Sequence, residues 1–489
     1  MDCNWKEKMK LKDNHLLIIA ITLLFLITIL TQFYGNADIG DYANVAKFFS
    51  GDYKAQIRSS HSYFYGFLSS PFVKITGNFF AMKIMNLIWL ILIILSIYYI
   101  SDKNRKTLLL TITAPIFWYM APIINPIQIS SLFFLWGFYF LRKYDDKGKF
   151  IFLSYSGIFF GLAWVFWDTV LHLGIILTLV FFYNKKFSHL IYFIFFVFIG
   201  LIPRLILDQI LFNFAFFTIL KSFTGGFVNL LFSGSIGSGH SAKTFMNIFS
   251  MLIFLPLFSF ILIKKQNFSK NKKTTIFLIL SILLFLTNPQ PRYLLIIIPL
   301  ILLDLGKIIS QKQFKIQIIF SIILSLLVIT PYVIQINYYT NSQEFTSLIT
   351  NINKVEISKI NPNELIIEDL NQMGRDYPSQ IFLVGPNSDD YAFLARLYFG
   401  DKINEFVSIQ DYNLFLQNKT TLFEKKFQPV PKINERRLIW IAGGIDANLR
   451  EPPLYENINY AISINESLNL QGFNLEKKYN FLYLYRKLD

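Results

Sequence analysis

In this chain of 489 residues, 54% are hydrophobic and only 16% are charged, and the mean hydropathy is +0.44. A soluble globular protein carries nearer ~25% charged residues, so that class is excluded. The net charge of +15 also fails to point to nucleic acid, because Lys and Arg fall in short clusters between apolar runs, the arrangement that orients a membrane protein.

The chain opens on a basic tail (Lys6, Lys8, Lys10, Lys12) followed by an apolar run over 16–33, close to the ~20 residues a span needs. No small-residue cleavage site follows it, and more spans do, so the run reads as a signal anchor with the N-terminus inside. The sole cysteine, Cys3, lies in this tail, which rules out an intrachain disulfide. Apolar runs then predict helices over 82–100, 107–121, 127–141, 150–166, 169–183, 188–211, 244–263, 275–287, 293–305 and 316–338. With the first span this makes about eleven transmembrane helices, several short enough to need pairing as hairpins.

The basic clusters support that count. Lys103, Arg105 and Lys106, then Arg142 to Lys149, then Lys185 and Lys186, then Lys264 to Lys273, then Lys307 to Lys315 all fall on the cytoplasmic side. The expectation is a polytopic α-helical domain over 1–339 in the cell membrane and an extracytoplasmic domain over 340–489. Two long loops, 34–81 and 212–243, face the same side as the latter. The second is rich in Gly and Ser (224–226, 233–240), consistent with a linker or with a cover over a site.

Beyond 340 the pattern becomes that of a small α/β domain. Strands are expected over 381–385, 438–442 and 481–485, with a helix over 389–399. Two Asn-X-Ser/Thr triplets start at Asn418 and Asn465, a pattern common by chance.

The chemistry-bearing stretch follows the first span: Asp38 and Asp41, then Tyr42, an Ala-bearing helix over 42–49 and Gly51, then Pro71-Phe72 before Gly77. Further on stand Pro291-Arg292-Tyr293 and Pro299. This order of motifs, with short paired helices, a long loop after the seventh span and an outer C-terminal domain, resembles the GT-C glycosyltransferase superfamily. That group includes the protein O-mannosyltransferases and the aminoarabinose transferases of lipid A.

The resemblance implies transfer of a sugar from a polyprenyl- or dolichyl-phosphate donor to a glycan, lipid or protein acceptor outside the membrane, with inversion. Asp38 matches the family's loop acid, with Asp41 close behind. A carboxylate within reach of an acceptor hydroxyl takes its proton as C1 is attacked. The bland alternative is that both aspartates cap the following helix. Arg292, whose planar fork suits a leaving phosphate, is otherwise an interfacial Arg reaching for headgroups. Arg58, His61, His240 and Lys243 are further outer-loop candidates for substrate binding.

Arg204 and Asp208, four residues apart in the seventh span, are expected to pair. Asn125-Pro126 stands where a second acidic motif would lie, which argues against a metal site. No cofactor is implied with certainty, a divalent metal staying open, and membrane lipids are the remaining partners. The rival reading is a transporter or lipid flippase, which would require midplane charges and inverted repeats.

Overall fold

The computed structural model describes residues 2–30, 42, 45–46, 48–51, 57–58, 62–76, 80–212, 214–220, 222, 245–287, 289–334, 369, 372–373, 376–377, 380–384, 398–399, 402–403, 405–419, 427–428, 448–449, 455–463, 470–479 and 482–488. The chain forms two compact units. The first comprises Met1–Phe33, Lys83–Pro203 and His240–Ile357; the second comprises Tyr34–Met82, Arg204–Gly239 and Ser358–Asp489. The first long loop, most of the second and most of the tail therefore fall in one unit, although they are far apart in sequence.

The first unit is helical. Its elements are α1 (Asp2–Leu30), most of a helix at Phe80–Ile100, then Arg105–Thr113, Pro115–Met120, Ile127–Lys147, Phe150–Phe166, Thr169–Phe182, the first part of Phe187–Phe212, Phe245–Leu252, Lys265–Phe285, Ile298–Ile308 and Gln311–Ile334. With Phe64–Thr76 of the second unit counted as α2, these are α3 to α13 in that order. The stretches Ala81–Ile100, Phe187–Leu211 and Gln311–Thr330 are each long and apolar enough to cross a bilayer. Along α9 the exposed side chains Ile191, Ile194, Phe198, Ile202 and Ile206 recur every three or four residues, an apolar stripe that suits lipid and not water. This is a multi-pass membrane protein. On the inward side of α9, Gly200 lies against Gly161 of α7 so closely that a Cβ on Gly161 would meet Gly200 backbone at 2.8 Å. Small residues are what permit such close crossing of helices.

Several predicted helices are interrupted, and proline explains each break. The run over 107–121 divides at Ala114, which is extended (φ −67°, ψ 125°), because Pro115 disfavours helical geometry in the residue before it. The run over 244–263 becomes α10, a turn at Pro256 and a 3-10 turn, Ser259–Ile263. The run over 293–305 becomes a 3-10 turn, Pro291–Ile296, followed by α12 with Pro299 in its first turn. In the other direction, α1 extends back to Asp2 and α11 back to Lys265, since Lys, Gln and Asn continue a helix once an apolar segment has nucleated it. The helix α6 runs on to Lys147 and stops where Gly148 turns left-handed (φ 67°).

In the second unit, Tyr42, Val45, Ala46, Phe48 and Phe49 are helical, and α2 packs on them. A Cβ on Gly66 of α2 would sit 2.6 Å from Val45 Cβ, so only glycine allows this approach. The tail forms a five-stranded sheet, ordered β5 (Glu405–Ser408), β2 (Ile381–Val384), β8 (Tyr460–Ser463), β10 (Tyr483–Lys487), β9 (Phe473–Lys478). β2 runs parallel to both neighbours, while β8, β10 and β9 are antiparallel. Helix α14 (Ile409–Leu416) supplies Tyr412 to the core formed by Leu383, Val407, Tyr455, Ala461, Phe473 and Tyr485.

A mixed α/β tail is what the sequence predicted, with differences in detail. The strand over 381–385 forms, and the last one begins at Tyr483. The helix expected over 389–399 ends instead in a strand: Tyr398–Phe399 (β3) pairs with Lys402–Ile403 (β4), as suits two aromatics. The rest of that helix and the strand over 438–442 lie outside the described residues. A small sheet joins the first long loop to the tail: β1 (Ile57–Arg58) pairs with β7 (Asn448–Leu449), which also pairs with β6 (Phe427–Gln428).

Candidate functional site

The two ends of the helical unit differ in chemistry. At one end, carboxylates and cations from helices distant in sequence meet. Arg142 Nη1 donates to Asp304 Oδ1 at 2.7 Å, and Asp304 is only 2% exposed. Asp145 receives Lys273 at 2.7 Å and Lys185 at 3.0 Å. Arg105 reaches Asp13 at 3.3 Å, and Lys106 Nζ donates to the Ile309 carbonyl. Four of the five basic clusters are thereby tied by acids or carbonyls to one end of the unit. Tyr144 hydrogen-bonds His189 there as well.

The opposite end is built around the turn 121–126, which is wholly buried. Irregular backbone at membrane depth leaves carbonyls and amides that protein side chains must satisfy. Thr28 Oγ1 of α1 donates to Ala121 O at 3.1 Å, and Asn86 Nδ2 of α3 donates to Ile123 O at 3.2 Å. Gln128 Nε2 donates to Met120 O (3.2 Å) and Ile123 O (2.8 Å), and Asn125 Oδ1 accepts from Ile127 N at 3.0 Å. The N-terminus of α6, a 21-residue helix, is thus buried at this end.

Two cations are buried on the same elements. Arg292 occupies the 3-10 turn Pro291–Ile296, which packs against α5 and α6, and it is 6% exposed. Its guanidinium lies 5.5 Å from the Tyr293 ring, and that ring meets Trp167 at 5.4 Å and Phe285 at 5.8 Å. Lys83 is 2% exposed. It precedes Asn86 by three residues and so shares its face of α3, the face that reaches the 121–126 turn. A described carboxylate at this end of the helical unit is Asp168, half-buried in the turn between α7 and α8.

Sequence reasoning found Arg292 but did not single out Lys83, which lies inside the helix predicted over 82–100. The available signal was its sidedness: a lone Lys at the start of α3 stands apart from every basic cluster of the opposite end. Asp38, Asp41, His61, His240 and Lys243 lie outside the described residues. Arg58 is in β1, its side chain likewise outside them.

Arg204 and Asp208, both 1% exposed, are linked through a residue from the following loop. Arg204 Nε donates to Thr218 Oγ1 at 3.0 Å, and Thr218 Oγ1 donates onward to Asp208 Oδ2 at 2.7 Å. Thr218 N donates to the same oxygen at 2.9 Å. On the tail surface, Asp376 receives Lys477, Tyr479 and Gln372. The Lys477 hydrogen bond, aided by Tyr479, holds its carboxyl below the usual carboxylate range. Burial and the neighbouring Glu476 push the Tyr377 hydroxyl up to about 12. Among the described residues no three His, Cys, Asp or Glu gather as a metal site.

No protein-family model matches the chain, and no curated protein matches it. Solved structures do. ArnT from Cupriavidus metallidurans bound to undecaprenyl phosphate superposes with a TM-score of 0.62 at 11% identity, over 96% of this chain and 97% of that one. The apo form of the same protein gives 0.59 at 12% identity, with the same coverage. At such low identity the likeness establishes the fold alone: this chain folds like ArnT along nearly its whole length.

Proposed function

We propose that this GT-C-fold protein is a membrane glycosyltransferase that takes a sugar from a polyprenyl- or dolichyl-phosphate donor. The observation that carries the reading is the burial of Lys83 and Arg292 at the end of the helical unit opposite the ion pairs. A buried cation in a membrane protein is costly and marks a candidate substrate path. A buried Arg292 also disfavours the alternative of an Arg reaching into headgroups, since that role keeps the guanidinium in water. A lipid phosphate entering at the membrane face suits both residues: Arg292 offers a planar fork and Lys83 a point charge. That the structural neighbour is described with undecaprenyl phosphate bound is consistent with such a ligand.

In the proposed reaction the acceptor hydroxyl gives its proton to the Asp38 carboxylate. Its oxygen bonds to the sugar C1 as the bond from C1 to the phosphate oxygen breaks. The lipid phosphate leaves with that electron pair and is held by Arg292 and Lys83. One displacement inverts the anomeric centre. Asp41 is assigned the neighbouring capping role, and Arg58, His61, His240 and Lys243 are secondary candidates for binding substrate.

The acceptor is placed outside the cytoplasm, with the tail over 340–489 on the same side. The gathering of most of both long loops and most of the tail in one compact unit supports a shared side for them. The functional test is a panel of radiolabelled sugars on undecaprenyl and dolichyl phosphate, offered to purified protein with release of lipid phosphate followed. At least one donor should turn over. Failure of every donor, with a solute or lipid moved across vesicles instead, would leave the transporter reading in place.

A further inference from the structure

The network Arg204–Thr218–Asp208 is more elaborate than a helix needs. An ion pair four residues apart on α9 could close directly, yet a threonine from the next segment is inserted between the two charges. Three buried polar residues thereby join α9 to the start of the long loop 212–243. Their immediate neighbours do something specific. Leu207, beside Asp208, and Phe217, beside Thr218, form one apolar cluster with Val45, Phe48 and Tyr63 of the first long loop.

The two hydrogen bonds from Thr218 to Asp208 therefore set the separation of Leu207 and Phe217, and that notch receives Val45 and Phe48. Gly66 holds the same helical stretch from the side of α2 by its close approach to Val45, and Tyr42 meets Tyr65 edge to face at 5.4 Å. The seated stretch begins at Tyr42, directly after Asp41.

We propose that Arg204, Thr218 and Asp208 form a positioning network which seats the helical residues Tyr42, Val45, Ala46, Phe48 and Phe49, through Leu207 and Phe217, and thereby governs turnover without governing lipid-phosphate binding. This rests on the glycosyltransferase reading only for turnover; the seating itself is a statement about the second unit alone. The side chains involved are not in contact with substrate in this scheme, so their effect is on the placement of the acid-bearing loop. Errors of ~1 Å in such placement are known to cost about a hundredfold in rate.

The test uses the full chain in nanodiscs with two variants. Thr218→Val keeps the shape and removes the hydroxyl relay; Thr218→Ser keeps the relay. Three readouts are taken: amide hydrogen exchange over residues 42–50, binding of undecaprenyl phosphate, and turnover of whichever donor the panel identifies. Thr218→Val should raise exchange over 42–50 at least tenfold and lower kcat by ten- to a hundredfold, with undecaprenyl phosphate bound as by wild type. Thr218→Ser should restore both protection and rate. Unchanged exchange over 42–50 in Thr218→Val overturns the proposal, as does a loss spread evenly over the whole chain with no rescue by Ser. If no donor turns over and undecaprenyl phosphate is not bound by wild type, the catalytic reading fails, while the exchange result still decides the seating.

Discussion

The two ends of the helical unit are made from the same kinds of helices, but they handle charge in opposite ways. At the end bearing the basic clusters, Arg142, Lys185, Lys273 and Arg105 each meet a carboxylate from another helix. At the other, Lys83 and Arg292 are buried on elements whose further buried polar residues, among the described ones, include the amides and hydroxyls of Asn86, Asn125, Gln128, Ser131 and Gln290. An ion pair between helices spends its charge on packing. Buried cations on membrane-embedded elements mark candidate substrate paths. The difference teaches where to expect structure and where to expect chemistry: changes at the paired end should cost stability and spare rate, and changes at the amide end should do the reverse.

The largest effect is expected at the loop acid Asp38. Asp38→Asn keeps size and capping ability, because Asn caps about as well as Asp. Loss of a general base should lower turnover by about 10²–10⁴ with an unchanged melting midpoint. Asp41→Asn should stay within a few fold of wild type. Reversal of the two outcomes would make Asp41 the base, and full activity in both would end the assignment of this loop to catalysis.

The paired end should behave in the opposite manner. Arg142→Ala leaves Asp304, 2% exposed, as a buried carboxylate without its guanidinium. Breaking a buried pair in this way costs about 3–5 kcal/mol. The melting midpoint in detergent should fall by many degrees, while turnover per folded molecule stays within twofold. Replacing both partners by apolar residues, Arg142→Met with Asp304→Leu, should recover most of the loss. A variant of Arg142 that is stable but inactive would break the contrast between the ends.

Arg292 tests the amide end directly. Arg292→Ala removes a charged hydrogen bond worth about 1.5–3 kcal/mol, so turnover should fall roughly tenfold to a hundredfold. Arg292→Lys keeps the charge without the fork and should lie between. Unchanged turnover in a folded Ala variant would return Arg292 to a headgroup role.

The sidedness beneath this comparison has its own test. The native thiol, Cys3, is the sole cysteine, and Asn418 is an exposed turn residue of the tail. In intact cells, wild type should resist a membrane-impermeant maleimide, and Asn418→Cys in a Cys3→Ser background should label. The reverse pattern would turn the molecule over in the membrane.

Much of this contrast was legible in the sequence because it depends on period and sidedness. The spans, the alternation of basic clusters, the strand at Ile381–Val384 and Arg292 all follow from local pattern. What could not be read is anything that depends on which helices meet. Arg142 and Asp304 are 162 positions apart, and no periodicity pairs them. Thr218 looks like one more loop threonine until it is found between Arg204 and Asp208. The helix breaks at Ala114 and near Pro256 were a different matter: proline announced them, but continuous apolar runs outweighed it.

The smallest effect extends the contrast from the bilayer to water. Asp376 on the tail surface pairs with Lys477 as Asp304 does with Arg142, but Asp376 is exposed. Solvent screening should therefore leave the pair worth at most about 1 kcal/mol. Its sign with pH is fixed. The hydrogen bond from Lys477 holds the folded-state pKa of Asp376 below its unfolded value, so the contribution is complete above about pH 4. It is lost as pH falls through the lower folded value. Asp376→Asn should accordingly melt slightly below wild type at pH 7, with the gap closing as the pH is lowered toward 2 and narrowing in high salt. A gap that persists at low pH would mean that Asp376 acts through packing or through the Tyr479 hydroxyl, not through its charge. A gap as large as that of Arg142→Ala would mean that burial does not separate the two pairs, and the account of the paired end as a low-dielectric clamp would have to be given up.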